Sequence, residues 1–495
     1  MKENDGQNPL LLRTVPVQRK GPTLAPDSTR VLLRPFHPVR KDAARRIINR
    51  IMTLPEDEVN RLLARIMKEF EHRHEQVESF YLHRFQVVEP LMTGKPALSA
   101  QRKALIGSCF SHEYSPEAAA LFNPSIVPHP DQGNLPKGSV RFILSLRATG
   151  EGHISSVTFR IGIVDRENTI ALEPAVPYVT EPAVIENLVR EKSFFARQIN
   201  ESGLRSPFCK RVAEHLPETF SLDDLKRTLE EERRKSSRFD AEDDKAAHDV
   251  LLLVESNYQV RFPPESCLSQ RILFPSVPSQ SNGIEDARFV RFRKDDGSFT
   301  YYATYTAYDG RNIQPQLIET PDFLHFTFIS LSGAAARNKG MALFPQTING
   351  RYAMLSRQDG ENIFLMYSDT INFWQEEKLI LEPRWPWEFM KIGTCGSPIE
   401  TDEGYLVLSH GVGPMRKYCL GAFLLDLKNP AKVIGRLSEP LLSPNETERE
   451  GYVPNVVYTC GAMLHGKELI LPYAMSDHAT SFATVRIDEL IKAMV

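Results

Sequence analysis

The sequence predicts a mainly β protein, a β-propeller carrying a helical arm near its N-terminal end and a helical insertion. Three observations carry that prediction. From about residue 105, short apolar strands bounded by turn residues recur, as in "SVRFILSLRA" and "ISSVTFRIGIVD". Phrases between such strands echo one another: "TPDFLHF" near 320, "SDTINFW" near 368 and, more distantly, "DLKNPAKVI" near 426. A recurrence of roughly 50 residues with several strands per unit suits propeller blades, whose radial closure leaves few exposed edges.

The elements follow in chain order. Residues 1 to about 40 are rich in proline and basic side chains and read as an arm over the surface. Val59, Leu62, Leu63, Ile66, Met67 and Phe70 recur at three- and four-residue steps, one apolar helix face, and Thr53 with Glu56 has the form of a capping box. The span from about 41 to 92 is predicted helical. A second helical stretch, about 181–256, contains "EPAVIENLVREKSFFARQI" and "SLDDLKRTLEEERRK", the latter opened by Ser221 with Asp224 three residues on. The expected division is therefore an N-terminal arm and helical extension over 1–100, and a β domain over 101–495 with the helical insertion inside it.

Composition limits the function. The 495 residues hold 60 basic and 63 acidic side chains, a balance that favours neither nucleic acid nor an anionic membrane. Cys109, Cys209, Cys267, Cys395, Cys419 and Cys460 are scattered, with no spacing that would hold zinc, so no metal is expected. They read as reduced thiols. The N-terminal stretch lacks the apolar run and cleavage site of a signal peptide, and no later stretch is long enough to span a bilayer. A cytoplasmic protein acting on a small molecule is expected.

The stretch "SNGIEDARFVRF" sets Glu285 and Asp286 at the start of an apolar strand. Strand alternation sends neighbours to opposite faces, so at most one of the two is expected to look into a shared cavity, and Arg288 shares the face of Asp286. A buried aspartate beside an arginine is more often structural than catalytic. Farther along, Arg337, Lys339, Arg357, Lys391, His410 and Tyr418 sit at the edges of apolar strands. Each alone reads as a surface charge or a satisfied strand end. If the ends of the units converge on one axis, several cations would share a pocket with a carboxylic acid, which suits an anionic nucleophile such as phosphate.

The phrases "GIEDARF", "NKGMALFPQTINGRYAMLSR", "KIGTCGSPI", "LSHGV", "LGAFLLDLKNPAKVI" and "EREGYVPNVVY", in this order, resemble glycoside hydrolase family 130, the inverting β-mannoside phosphorylases. The resemblance runs from about 120 to 490 outside the helical insertion. It implies a five-bladed propeller with the active site in the central cavity, inorganic phosphate as co-substrate and no cofactor. It implies that Asp286 is the general acid, passing its proton through the 3-hydroxyl of the mannosyl ring to give α-mannose 1-phosphate; Ala287 replaces the family's usual proline. It implies phosphate ligands at Lys339, Arg357, Lys391 and Tyr418 with His410 beside them, and sugar contacts at Asn123, Arg147 and Asp477, where His478 departs from the family phrase. A homo-oligomer is expected, as among many relatives.

The chemistry fits those residue types. Mannoside cleavage passes through an oxocarbenium-like state, and an inverting hydrolase needs a second carboxylate to activate water, whereas phosphate is already an anion and needs cations to hold it. Two other readings remain open: a β-mannoside hydrolase using Glu446, Glu448 or Glu450, and a non-catalytic carbohydrate-binding propeller. Tyr308, Asp309, Trp385 and Trp387 are candidate acceptor contacts.

Overall fold

The computed structural model describes residues 15–38, 40–92, 94, 96–185, 188–204, 206–235 and 239–495. The first fourteen residues of the expected N-terminal arm lie outside the described residues. Among the described residues no helix is long and apolar enough to cross a membrane.

Strands dominate the part of the chain that resembles the family, and they come in groups of consecutive antiparallel partners. The first group is Ala120–Pro128, Val140–Thr149 and Ser155–Val164, with Ile170–Leu172 at its edge. The second is Gly283–Arg293, Phe299–Tyr308, Ile313–Thr320 and His325–Ser330. A parallel pairing of Gly283 with Ser155 joins these two groups into one sheet. The third is Ala342–Leu343, Tyr352–Ser356, Ile363–Ser368 and Glu377–Leu381. The fourth is Lys391–Thr394, Tyr405–Val412, Tyr418–Leu425 and Val433–Arg436. The last pairs Val457–Tyr458, Glu468–Met475 and Ala479–Arg486, and Gln18–Arg19 from near the other end of the chain adds its outer strand.

The echoing phrases occupy one structural position. "TPDFLHF", "SDTINFW" and "DLKNPAKVI" each turn the chain from the third strand of a group to the fourth. The aspartate does the turning in two of them: Asp322 Oδ1 accepts from the amides of Leu324 and His325, and Asp426 Oδ1 from those of Lys428 and Asn429.

The apolar cores lie between successive groups. Phe159, Phe289 and Phe326 join the first and second; Phe292, Met354 and Trp374 the second and third; Leu355, Val407 and Phe423 the third and fourth; Leu408, Leu424 and Leu471 the fourth and last. Leu144 and Phe142 then pack with Ile470 and Phe482, so the last group returns to the first.

Helices fill both predicted stretches, Lys41–Met52, Glu56–Phe70 and Val77–Val88 in the first and Lys192–Glu201, Pro207–His215, Leu222–Lys235 and Ala241–Glu255 in the second, the latter four around Phe195, Phe208, Leu225 and Val250. A further helix, Ala100–Ser108, lies outside them and across the expected boundary at 100. The Ser221 box forms as predicted, with Ser221 N donating to Asp224 Oδ2 at 2.8 Å and Asp224 N donating to Ser221 Oγ at 3.2 Å. The Thr53 box does not. Pro55 takes the cap position of the Glu56–Phe70 helix, Thr53 closes the preceding helix, and Glu56 instead accepts from Ser99 Oγ and Arg102 Nε, both at 2.9 Å.

Candidate active site

The two carboxylates of "GIEDARF" do not obey simple alternation. The strand Gly283–Arg293 slips register between Glu285 and Arg288, and Asp286 sits at φ 53°, the left-handed region that a non-glycine residue seldom occupies. The bulge turns Asp286 to the side of Glu285. Arg147 then holds both: Nη2 donates to Glu285 Oε1 at 2.7 Å, Nη1 to Asp286 Oδ1 at 3.2 Å, and Nε to Ser155 Oγ at 2.9 Å. The expectation that at most one acid faces the site is thus corrected. Gly283 makes the strand entry possible, since at φ 155° its added Cβ would lie 2.8 Å from Ser155 Cβ.

Asn123 reaches Asp286 from the first group by the same device. Its strand slips register between Phe122 and Ser125, its φ is 48°, and Nδ2 donates to Asp286 Oδ1 at 2.7 Å. Its Oδ1 is buried without a partner, an acceptor open to a hydroxyl. Asp477, at φ 51°, lines a cavity of about 280 Å³ with Phe122, Arg147, Glu285, Tyr308 and Tyr452. The first, second and last groups therefore line one hollow, and Asp286 is hydrogen-bonded to its lining residue Arg147.

The electrostatics split the acids. Burial pushes Asp286 up, but Arg147, Lys339, Arg288 and the Asn123 hydrogen bond outweigh it and hold the carboxyl at about 2. Asp477 goes the other way, to about 6, through burial and the neighbouring negative charge of Asp286, against the cations Arg147, Arg416 and Lys339. Asp286 is ionised at neutral pH, and Asp477 is the carboxyl that takes up a proton first.

Cations gather around this pair. Arg288 donates from Nη2 to the Tyr458 hydroxyl at 2.7 Å and from Nη1 to Met341 O at 3.3 Å. Arg357 Nη1 lies 3.1 Å from His410 Nε2. Burial, with Arg357, Arg288 and Lys391 nearby, drives His410 well below its ordinary value. The ring is neutral, so Nε2 accepts from Arg357 and Nδ1 carries the hydrogen, 3.5 Å from Cys395 Sγ. His410 stacks on Tyr418 with centroids 5.9 Å apart, and Lys391 Nζ lies 5.5 Å from the Tyr418 centroid. Among the described residues, Lys339, Arg357 and Lys391 have no carboxylate within ion-pair distance, and Arg357 Nε has no partner.

All nine predicted site residues, Asn123, Arg147, Asp286, Lys339, Arg357, Lys391, His410, Tyr418 and Asp477, thus belong to one connected set. Arg337 leaves it for an exposed ion pair with Glu377 at 2.9 Å. Among the candidate acceptor contacts Tyr308 lines the cavity, Asp309 caps its own turn, and the Trp387 ring is packed against Gly411 and Gly421. Glu448, a candidate hydrolytic base, is buried and engaged by Arg19, by the Tyr473 hydroxyl at 2.6 Å and by the Asn445 amide. Sequence reasoning named Glu285 and Arg288 but missed that Glu285 faces the site, that Arg288 meets Tyr458, and that Arg416 of the Pro414–Arg416 turn acts on Asp477. Their partners lie far along the chain, and only the phrase "EREGYVPNVVY" pointed toward Tyr458.

A family model described as beta-1,4-mannooligosaccharide phosphorylase, that of glycoside hydrolase family 130, matches residues 241–495. Asp286, Lys339, Arg357, Lys391, His410, Tyr418 and Asp477 fall inside the match. The chain is similar to a 1,2-beta-oligomannan phosphorylase of Thermoanaerobacter sp. strain X514, 33% identical over 227 residues, 45% of this chain and 75% of that protein. It is similar to a beta-1,4-mannooligosaccharide phosphorylase of Ruminococcus albus, 33% identical over 166 residues, 31% of this chain and 50% of that protein. A solved beta-1,2-mannobiose phosphorylase from Listeria innocua, in complex with beta-1,2-mannobiose, superposes over 76% of this chain and 92% of its own with TM-score 0.47 at 19% identity.

Proposed function

The chain belongs to glycoside hydrolase family 130, and from that premise we propose that it is an inverting β-mannoside phosphorylase, a hexosyltransferase-type enzyme that cleaves a β-mannoside with inorganic phosphate to give α-mannose 1-phosphate. Substrates of the manno-oligosaccharide, mannosyl-glucose or mannosyl-N-acetylglucosamine type fit the reading. The five groups of strands are its blades, closed by the packing of the last group on the first. They form the catalytic domain over 101–495, with the helices over about 181–256 inserted into it and those before residue 101 preceding it. A cytoplasmic homo-oligomer without a cofactor completes the proposal.

One observation carries it: Lys339, Arg357 and Lys391 have no carboxylate partner among the described residues, and Lys339 acts with Arg147 and Arg288 on the acid Asp286 while Arg357 and Lys391 act with the same Arg288 on His410. Unpaired cations at partly buried positions are costly unless an anion arrives. A phosphate dianion satisfies them and brings its own nucleophilic oxygen.

In the proposed reaction Asn123, Arg147 and Asp477 hold the mannosyl ring. Protonated Asp286 donates toward the leaving oxygen through the 3-hydroxyl, while phosphate, held by Lys339, Arg357, Lys391 and Tyr418 with His410 behind Arg357, attacks the anomeric carbon from the opposite face. The C–O bond to the leaving sugar breaks, the C–O bond to phosphate forms, and the proton of the phosphate restores Asp286. Hydrolysis on the same fold lacks support from Glu448, which is fully engaged in structural contacts.

The test is phosphate dependence. β-1,2- and β-1,4-mannobiose incubated with the protein should yield mannose 1-phosphate only when phosphate is present. Free mannose released without phosphate would establish the hydrolase reading, and sugar binding without turnover the non-catalytic one.

A further inference from the structure

The cavity beside Asp286 has a mouth that the proposed chemistry leaves unused. At about 280 Å³ it lies at the small end of ligand pockets, which run from roughly 300 Å³ upward. A cavity of that size suits a single mannosyl ring, so the sugar on the leaving side must rest at the mouth. Two residues of the cavity lining, His153 and Tyr452, stack their rings with centroids 5.3 Å apart and planes at 28°. Tyr452 is 66% exposed, and neither ring makes a hydrogen bond among the described residues. A pair serving only to tie two loops together would be buried, or anchored by its polar atoms.

Both rings ride on backbone that also carries the site. His153, at φ 56°, lies between Arg147 and Ser155, which are themselves hydrogen-bonded at 2.9 Å. Tyr452 follows Gly451, whose φ of 158° and close approach, with an added Cβ 2.7 Å from Ser476 Cβ and O, press this segment against the neighbour of Asp477. The platform is thus fixed relative to Arg147 and Asp477.

We propose that the stacked His153–Tyr452 pair is the platform for the leaving-group saccharide, a pyranose whose C–H-rich face lies on the Tyr452 ring. This rests on the phosphorylase reading and names the residues that select its acceptor. Aromatic stacking supplies area and orientation without a fixed pattern of hydroxyl contacts, so the platform accepts more than one acceptor sugar.

The experiment is synthesis from α-mannose 1-phosphate with mannose, glucose or N-acetylglucosamine as acceptor, in wild type, Tyr452→Ala, His153→Ala and Tyr452→Phe. Tyr452→Ala should raise the acceptor KM roughly 2- to 10-fold, the scale of one aromatic stacking contact, and by more than it raises the KM for α-mannose 1-phosphate. His153→Ala should give a smaller rise in the same direction, and Tyr452→Phe should restore the wild-type value. An acceptor KM unchanged by Tyr452→Ala overturns the platform. If the wild type has no phosphate-linked turnover on any mannoside, the functional reading fails by itself; calorimetric titration of wild type and Tyr452→Ala with β-1,2- and β-1,4-mannobiose then decides the platform, and equal affinities overturn it.

Discussion

Replacing Arg357 by methionine removes a cation that the fold leaves without an anion. Arg357 is 8% exposed, its Nε has no partner, and its one side-chain hydrogen bond among the described residues runs to the neutral His410 at 3.1 Å. A buried, unpaired charge costs the empty protein, so Arg357→Met should leave thermal stability unchanged or raise it. Phosphate affinity should move the opposite way. A hydrogen bond to a charged group is worth about 1.5–3 kcal/mol, which is about 10- to 150-fold in the phosphate KM. Thermal unfolding with and without phosphate reads both effects together. A ligand at 100 times its Kd adds about 2.7 kcal/mol, and a 100-fold loss of affinity at the same concentration cuts that to about 0.4 kcal/mol. A variant that unfolds more readily while keeping its phosphate KM would make Arg357 a structural residue and remove the main support for phosphate in this hollow.

Three other perturbations separate the acids. Asp286→Asn should lower turnover about 10²–10⁴-fold in steady-state assays with folding intact, the usual contribution of positioned acid catalysis, and near-normal turnover would remove Asp286 from the mechanism. Asp477, raised to about 6, contributes stability that is full below its ordinary 3.8 and is lost as pH rises through about 6; Asp477→Asn should abolish that decline in melting temperature between pH 4 and 7. Glu448→Gln weakens contacts to Arg19 and Tyr473 and, because the Arg19 charge it leaves is exposed, should destabilise the fold by about 1–3 kcal/mol while sparing phosphate-dependent product formation, which product analysis checks.

The strand groups were legible because alternation and turn residues are local signals, and the three echoing phrases proved to occupy the same position in their groups. The Ser221 cap was legible for the same reason, since residue types and spacing alone make it. Thr53 and Glu56 carry the same spacing, yet Pro55 cannot donate an amide and takes the cap itself, so a pattern match without the intervening residue misleads. The facing of Glu285 was out of reach. Alternation holds only while the register holds, and the left-handed turn at Asp286 has no glycine to announce it. Arg147 meets Glu285 across 138 residues of sequence, and Arg288 meets Tyr458 across 170, so neither contact leaves a local trace.

The site poses a proton problem that phosphate itself can solve. An acid held at about 2 by Arg147, Lys339 and Arg288 is ionised at neutral pH, whereas the proposed cycle begins with it protonated. Burial is the largest influence on this carboxyl and acts upward, and only the cations reverse it. A phosphate dianion seated on Lys339 and its neighbours cancels much of that positive field, so Asp286 should rise on phosphate binding and take up a proton. The balance closes over one turnover, because the hydrogen on HPO₄²⁻ equals the one the leaving hydroxyl gains. Calorimetric titration of phosphate at pH 5 in buffers of different ionisation enthalpy should therefore show greater proton uptake by the wild type than by Asp286→Asn. Repeating both titrations on Asp477→Asn, whose carboxyl is otherwise raised partly by the charge of Asp286, isolates Asp286, since the phosphate titrates alike in both proteins. Equal uptake would mean that Asp286 stays ionised in the phosphate complex, and the leaving oxygen would then have to draw its proton directly from the phosphate.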